Sequence, residues 1–230
     1  MTKIVDNIEV IKTLPEYILK LAGLFWFYTP KKDNLYSQSR ESVEKHFCIE
    51  ENHHDYYPSS ALQTPIYWLF QISLQKTIDF ILTFTNKAVE CFAKSKFGKD
   101  EIDEVEVFIE EKEPIKQYIG NRLWNMYRGT QVSTCLLESI HMALEKYFLE
   151  TGKYVDSEIL EDWLLYLLKN SKSASISAVV TSIVLAYPDK TFNIAKILFQ
   201  TKKFFFYDTS RLRLDLHQKS SLLMLKDNFG

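Results

Sequence analysis

The densest group of potential metal ligands lies in one short segment near residue 50. Its imidazole, thiol and carboxyl groups belong to His46, Cys48, Glu50, His53, His54 and Asp55. A His-x-Cys pair followed by His-His-Asp offers the donor atoms that zinc prefers, so one hypothesis is a small metal-dependent enzyme centred on residues 46–55. Structural zinc sites usually take their ligands from two well-separated pairs, whereas all these residues lie on one predicted loop. The simpler interpretation is a solvated loop in which His54 or Asp55 caps the next helix, with no metal or cofactor.

The other reactive side chains do not complete a known catalytic motif. Glu138 and His141 have the i, i+3 spacing of di-iron helices, but there is no second Glu-x-x-His pair, so a surface hydrogen bond or a core-edge histidine is simpler. Cys135 follows Ser133, a predicted helix N-cap, where the helix dipole could lower the pKa of the thiol, although a small buried side chain also fits. Nucleophile-elbow and glycine-rich phosphate-binding patterns are absent, and we therefore expect no enzyme activity.

The cysteines and the apolar runs bear on the compartment. Cys48, Cys91 and Cys135 are odd in number and far apart, and no CxxC pair occurs, so neither a disulfide framework nor a zinc ribbon is predicted. Buried free thiols in a reducing, cytoplasmic environment are the expectation. No segment approaches the roughly 20 apolar residues of a membrane span, and the first residues do not resemble a signal peptide. We expect a soluble protein without a membrane partner.

Charge separates two regions of the chain. The net charge of −2 argues against nucleic-acid binding by bulk electrostatics. The last third is more basic, and residues 190–213 combine lysines and arginines with the rings of residues 204–207, which could bind a single strand of nucleic acid. The simpler interpretation is that these rings fill a seam between helices. Residues 100–113 carry eight acidic side chains and one lysine, as expected for the solvated face of a hairpin.

Hydrophobic periodicity predicts helices along most of the chain. We expect them at residues 15–28, 35–48, 60–72, 74–96, 121–127, 133–152, 157–168, 173–187, 191–199 and 203–216. Gly98 is predicted to cap the fourth of these. The period changes to partial alternation at Ile102–Ile109, and Ile115–Ile119 can return after a turn at Glu111–Pro114, which predicts a β-hairpin near residues 102–119.

The stretch from Ser173 to Phe206 indicates how the helices are arranged. A helix rich in small residues is followed by the corner Tyr187-Pro188-Asp189 and a second apolar helix. This helix–corner–helix form resembles the pairs of HEAT-type repeats, although no exact period recurs. The predicted fold is therefore mainly α: an irregular HEAT- or armadillo-type stack with one inserted β-hairpin. We expect a single domain over residues 1–230, with subregions 1–98, 99–120 and 121–230.

Three segments resemble the helical regions of large bacterial multidomain ATP-binding proteins of the STAND type. They are HDYYPSSALQTP (residues 54–65), LWNMYRGTQV (residues 123–132) and the helix of residues 173–188. The resemblance implies a region of a longer polypeptide that senses ligands or mediates assembly, often in defence against phage. The Walker motifs of such proteins are missing here, so it implies a non-catalytic part. The apolar run Leu222–Leu225, with little chain left to cover it, agrees with a contact surface.

A scaffolding, interaction or ligand-sensing module is therefore the leading functional hypothesis. Its partner would be another protein or neighbouring domains of the same chain, bound through residues 52–60 and 128–133 and through the hydrophobic ends. The candidate binding residues are aromatic and basic: Tyr56, Tyr57, Arg122, Trp124, Arg128, Lys202, Lys203 and Arg211.

Overall fold

The computed structural model describes residues 8–28, 42–51, 53–109, 113–130 and 133–227. Helices dominate both halves of the chain. The first half contains α1 (Ile8–Thr13), α2 (Pro15–Trp26), α3 (Val43–His46), α4 (His53–Tyr56), α5 (Ile66–Ile72), α6 (Leu74–Lys94) and α7 (Gly98–Glu101). The second half contains α8 (Asn121–Trp124), α9 (Cys135–Thr151), α10 (Ser157–Asn170), α11 (Ala174–Ala186), α12 (Phe192–Phe199) and α13 (Lys202–Asp227), with 3₁₀ turns at Met126–Arg128 and Pro188–Lys190. The mainly α fold is confirmed.

The inserted β-hairpin is also confirmed. Its strands, β1 (Asp103–Val107) and β2 (Ile115–Ile119), are antiparallel, with Val105 opposite Gln117. A two-stranded ribbon is marginally stable alone, but here Tyr118 N donates to the carbonyl of Lys172 at 2.8 Å, just before α11 begins. The hairpin is therefore anchored to the helical body through the outer edge of β2.

Helix α9 occupies the centre of the fold. It packs against α5, α11 and the 3₁₀ turn that precedes it, and the buried side chains of these elements belong to one connected core. Thr134 caps it, since the Thr134 hydroxyl accepts from Leu137 N at 3.2 Å. The predicted cap, Ser133, is thus wrong by one residue. The cap fixes where α9 begins and so places every side chain along it.

The predicted helix boundaries hold best where apolar periodicity is strong. Helix α6 matches the prediction within two residues at its end, while α5 begins later than expected and the predicted loop before it contains α4. Half of the helix predicted at residues 35–48 lies outside the described residues, and the described half contains only the short α3. Gly98 does not cap α6 but begins α7, where a Cβ would lie 1.8 Å from the carbonyl oxygen of Phe92, so only glycine fits this approach.

Two of the cysteines correct the prediction that the thiols are unoxidised. Cys48 and Cys91 form a disulfide, with their Cα atoms 6.0 Å apart, while Cys135 is buried and is not part of a disulfide. Beside the bond, the rings of Phe47 and Phe92 stack with centroids 4.2 Å apart. The disulfide and the stacked rings together fasten residues 42–51 onto the C-terminal half of α6.

The lengths and polarity of the helices also bear on membranes. None of the helices in the described part of the chain is both long enough and apolar enough to cross a lipid bilayer.

Candidate functional site

The predicted metal ligands do not form a site in the described residues. The His46 ring lies against Phe97 with centroids 4.9 Å apart, Cys48 is in the disulfide, and Asp55 is exposed. The side chains of His53 and His54 lie outside the described part. Among the side chains that are described, no group of three or more His, Cys, Asp or Glu is arranged to hold a metal ion. Because the Cys48 sulfur is bonded to Cys91, it is not available as a thiolate ligand, and the prediction of Cys48 as a metal ligand is wrong for the oxidised protein.

Two of the predicted binding residues belong to the core instead. Tyr56 is 2% exposed and its hydroxyl accepts from Trp26 Nε1 at 2.7 Å, while burial raises the pKa of Tyr56 to about 12. Trp124 is fully buried and its ring centroid lies 5.0 Å from that of Phe204. Neither ring reaches the surface, so both are corrected from contact residues to packing residues.

The predicted basic contacts mostly hold the chain together. Four of them form internal ion pairs: Arg122 with Glu101 at 2.8 Å, Arg128 with Asp215 at 2.8 Å, Lys203 with Asp103 at 3.1 Å, and Arg211 with Asp208 and Asp215 at 2.8 and 3.0 Å. Tyr57 and Lys202 are exposed. The pair between Arg128 and Asp215 joins α13 to the 3₁₀ turn before α9, so it helps to position one wall of the surface described next.

An apolar groove lies between the last helices. It encloses about 440 Å³ and is lined by side chains of α11, α12 and α13: Thr181, Val184, Leu185, Ala195, Leu198, Phe199, Phe204, Phe205 and Asp208. Leu198 and Phe204 form its buried floor. At the rim, the rings of Phe199 and Phe205 stack with centroids 5.1 Å apart, although they are 64% and 45% exposed. We call this the α12–α13 groove.

Further exposed apolar side chains extend the α12–α13 groove along α13. Leu212 and Leu216 follow Phe205 at helical spacing, seven and eleven residues on, and both are exposed. The sequence placed the rings of residues 204–207 in a helix–helix seam, which is wrong for Phe205 and Phe206, since both are exposed. The run of consecutive rings was a signal of this exposure. Successive residues of a helix point in different directions, so four consecutive rings cannot all be buried in one seam.

The rim of the α12–α13 groove is basic. Lys196, Lys202 and Arg213 are exposed, and helical spacing places Lys196 beside Phe199 and Lys202 beside Phe205. Lys196 Nζ lies 4.4 Å from the centroid of the Phe192 ring. The one acidic lining residue, Asp208, is neutralised by Arg211. The arrangement can bind an apolar surface flanked by negative charge.

Apart from the α12–α13 groove, a cluster of polar side chains is buried beneath the loops that cover the start of α9. Glu138 is fully buried; its carboxylate accepts from the Ser59 hydroxyl at 2.7 Å and from Ser133 N at 3.1 Å. The sequence favoured a surface hydrogen bond for Glu138, and its full burial shows that this is wrong. Burial also raises the pKa of the Cys135 thiol, which is the opposite of what an activated nucleophile requires. The cluster acts as an internal cap.

His141 is likewise buried, and its contacts define its protonation. The Leu137 carbonyl, 2.8 Å from Nδ1, can only accept, so Nδ1 carries the proton. Nε2 therefore accepts from the Ser175 hydroxyl at 2.9 Å, which in turn lies 2.8 Å from the Ser173 hydroxyl. Burial lowers the pKa of His141 to about 4. A neutral imidazole thus links α9 to the start of α11.

This histidine should make stability depend on pH. In the unfolded chain the imidazole has a pKa of about 6.5, so the unfolded state takes up a proton as the pH falls below that value. The folded state does not take up this proton until about pH 4, and the difference destabilises the fold. Stability is fully present above the unfolded pKa and is lost as the pH falls towards the folded one. We expect urea unfolding to show a loss of about 2.5 kcal/mol between about pH 7.5 and about pH 4.5 that is absent from His141→Gln. Parallel pH dependences of the two proteins would contradict this.

Comparison with known proteins identified no relative of the chain. No protein-family model matches it, and no curated protein matches it.

Proposed function

We propose that the chain is a non-catalytic interaction module whose α12–α13 groove binds an amphipathic helix with acidic residues beside its apolar stripe. The observation that carries the proposal is the continuous exposure of Leu185, Phe199 and Phe205 around a groove with a buried apolar floor. Contiguous exposed apolar surface of this kind marks interaction sites, whereas single exposed side chains do not.

The shape of the α12–α13 groove favours a helix as the occupant. Its two walls are helices, and their exposed side chains recur at three, four and seven residues, as in surfaces that receive an amphipathic helix. A helix laid across the stacked rings of Phe199 and Phe205 would extend the packing by which α12 already lies against α11. Apolar residues of the guest at i, i+4 and i+7 would then contact Leu185, Phe199 and Leu212.

The charge of the rim favours an acidic guest. Lys196, Lys202 and Arg213 are exposed around the apolar rings, while the Asp208 carboxylate already accepts from Arg211 at 2.8 Å. Carboxylates flanking the apolar face of a helix would meet these cations, and such complementarity chiefly raises association rate and specificity. The guest would belong to a protein partner or to a neighbouring domain of the same polypeptide.

The wider setting rests on the resemblance of residues 54–65, 123–132 and 173–188. We propose from it a scaffolding or ligand-sensing region of a larger bacterial protein, with a role in anti-phage defence. Single-stranded nucleic acid is a weaker candidate, since Lys203 and Arg211 are held in ion pairs. Lys190 is also engaged internally, because its ammonium group donates to the carbonyls of Gly152, Lys153 and Val155.

The test uses designed helical peptides and the intact chain. A fluorescent amphipathic peptide with leucines on one face and glutamates beside them should bind, whereas a scrambled peptide of the same composition should not. Phe199→Asp should weaken binding at least about tenfold, because it places a carboxylate in the apolar rim opposite the acidic guest. Fluorescence anisotropy measures both affinities.

The matched control is Tyr154→Asp, which introduces the same charge at a residue that is 87% exposed and outside the groove. It should bind the peptide as the wild type does. Replacing the peptide's glutamates with lysines should weaken binding. Equal affinity of Phe199→Asp and the wild type, no binding below ~1 mM, or binding to anionic vesicles or oligonucleotides in place of the peptide would reject the proposal.

A further inference from the structure

Helix α2 is apolar on nearly all of its faces. On its inner face, Ile18, Ala22 and Trp26 are buried in the core and fix the position of the helix. Only two of its twelve residues are charged, Glu16 and Lys20. A helix that is apolar all round is usually buried on every side, so the outer face of α2 is expected to have a partner.

That outer face carries a stripe of large exposed side chains. Leu14 continues the helix by one residue, because its carbonyl accepts from Ile18 N at 3.1 Å. Contiguous exposed apolar surface of this kind marks an interaction site. The side chains, which we call the α2 stripe, are 39% to 74% exposed: Leu14, Tyr17, Leu21, Leu24 and Phe25.

The spacing along the α2 stripe is that of a helix which pairs with another helix. Leu14, Tyr17, Leu21 and Leu24 are separated by three, four and three residues. This is the spacing of the a and d positions of a heptad, whose side chains interlock with those of a second helix. The α2 stripe is therefore suited to one more helix of the same kind.

We propose that the α2 stripe binds the α2 stripe of a second copy of the chain, as an antiparallel pair. A two-fold axis beside the middle of the stripe brings Leu14 opposite Leu24 of the second copy and Tyr17 opposite Leu21 of the second copy. Each of these contacts then occurs twice, as in every two-fold symmetric interface. All four layers of the pair are apolar.

The exposed area of the α2 stripe is enough for such a pair. Each of its five large residues exposes roughly 100 Å², so one stripe offers roughly 500 Å². Two stripes together bury about 1,000 Å², which reaches the lower limit for a specific interface between proteins. We therefore expect a dimer that forms at micromolar concentrations, not a permanent one.

The charges beside the α2 stripe favour a second copy over a charged guest. Glu16 is paired with Lys76, and the Lys20 ammonium lies 5.5 Å from the centroid of the Tyr17 ring. One acid and one base on α2 leave the helix without net charge, so neither a basic nor an acidic partner is selected. In the antiparallel pair, Lys20 lies within roughly one turn of Glu16 of the second copy, and opposite charges meet.

The test measures the mass of the full chain in solution by sedimentation velocity. The wild type should have twice the mass of 27.1 kDa at about 200 μM and should dissociate towards the monomer at about 2 μM. Leu24→Glu should weaken the dimer at least about tenfold, because it places a carboxylate opposite an apolar side chain in two layers. Leu24 is 74% exposed, so this variant should fold as the wild type does.

A second substitution tests the pairing of positions 14 and 24. Leu14→Lys alone should also weaken the dimer, whereas Leu14→Lys combined with Leu24→Glu should restore it to within about threefold of the wild type. In the combined variant each carboxylate faces an ammonium group of the second copy. Only an antiparallel pair with this register predicts the rescue.

The controls place a charge elsewhere on the surface. Tyr154→Glu, at a position that is 87% exposed and outside the α2 stripe, should dimerise as the wild type does. Phe199→Asp, which tests the α12–α13 groove, should also dimerise normally. Failure of this proposal and failure of the groove proposal are therefore distinguishable.

Four results would overturn the proposal. The first is a wild type that remains a monomer at about 200 μM, and a lower unfolding temperature of Leu24→Glu would then assign the cover of the α2 stripe to the chain itself. The second is a dimer that Leu24→Glu leaves unchanged. The third is a dimer lost in Leu24→Glu that the combined variant does not restore. The fourth is a monomer that binds lipid vesicles through the α2 stripe instead of a second copy.

Discussion

Replacing Cys48 and Cys91 together with serine should lower the free energy of unfolding by about 4 kcal/mol under oxidising conditions. The disulfide joins residues separated by 43 positions, and closing a loop of that length removes chain entropy from the unfolded state worth about 4 kcal/mol. The stacked Phe47 and Phe92 rings remain in the variant, so the change reports mainly on the covalent link. Guanidinium unfolding of the two oxidised proteins gives the difference.

The controls for this prediction use thiol chemistry. Reductant should bring the wild type to the stability of the double variant and leave the double variant unchanged, while Cys135→Ser should retain its sensitivity to reductant. Alkylation of denatured protein should modify one thiol before reduction and all three afterwards. Three reactive thiols in the unreduced protein would show that the bond is absent, and the stability difference should then disappear.

Glu138→Ala should cost about 3 kcal/mol of unfolding free energy. The carboxylate is fully buried and accepts from the Ser59 hydroxyl and from Ser133 N. Truncation leaves both donors without this acceptor and opens a cavity at the start of α9, and each of these effects is destabilising by a kcal/mol or more. Urea unfolding at neutral pH measures the loss.

Glu138→Gln is the matched variant, because its amide fills the same volume and its carbonyl can still accept from Ser133 N. It should lose about 1 kcal/mol, since the hydroxyl of Ser59 can turn to accept from the new NH₂ group. Glu158→Ala, at an exposed position of α10, should change stability by less than about 0.5 kcal/mol. An unfolding midpoint of Glu138→Ala equal to that of the wild type would mean that the carboxylate is not an internal cap.

The sequence predicts secondary structure correctly where a residue's environment follows from its immediate neighbours in the chain. The alternation in Asp103–Val107 and the apolar faces of α6 and α11 are repeating patterns, and the structure has strands and helices there. Glu138 shows a case that local patterns cannot predict. Its spacing along α9 matches that of polar surface residues, but the Ser59 hydroxyl, 79 positions earlier in the chain, donates to its carboxylate, and the loop that contains Ser59 buries it.

The candidate site was only partly predictable for the same reason. Basic and aromatic residues were identified, but Arg128 is engaged by Asp215, 87 positions later, which no local pattern indicates. Arg211 is engaged by Asp208 on its own helix. Which ring is buried depends on the rotation of α13 about its own axis. Phe204 packs onto Trp124, and the same rotation exposes Phe205 and Phe206.

The way in which α13 is attached has a consequence for the groove that it borders. Between residues 202 and 216, Phe204 is the one described side chain of α13 that is buried, and the ion pairs that Lys203 makes with Asp103 and Asp215 makes with Arg128 also join α13 to other elements. Mobile ions weaken partly exposed pairs of this kind over a Debye length of about 8 Å at physiological ionic strength, whereas they leave the contact between Phe204 and Trp124 intact. We therefore expect added salt to change the distance between α13 and the other wall of the α12–α13 groove, while the contact between Phe204 and Trp124 keeps α13 attached.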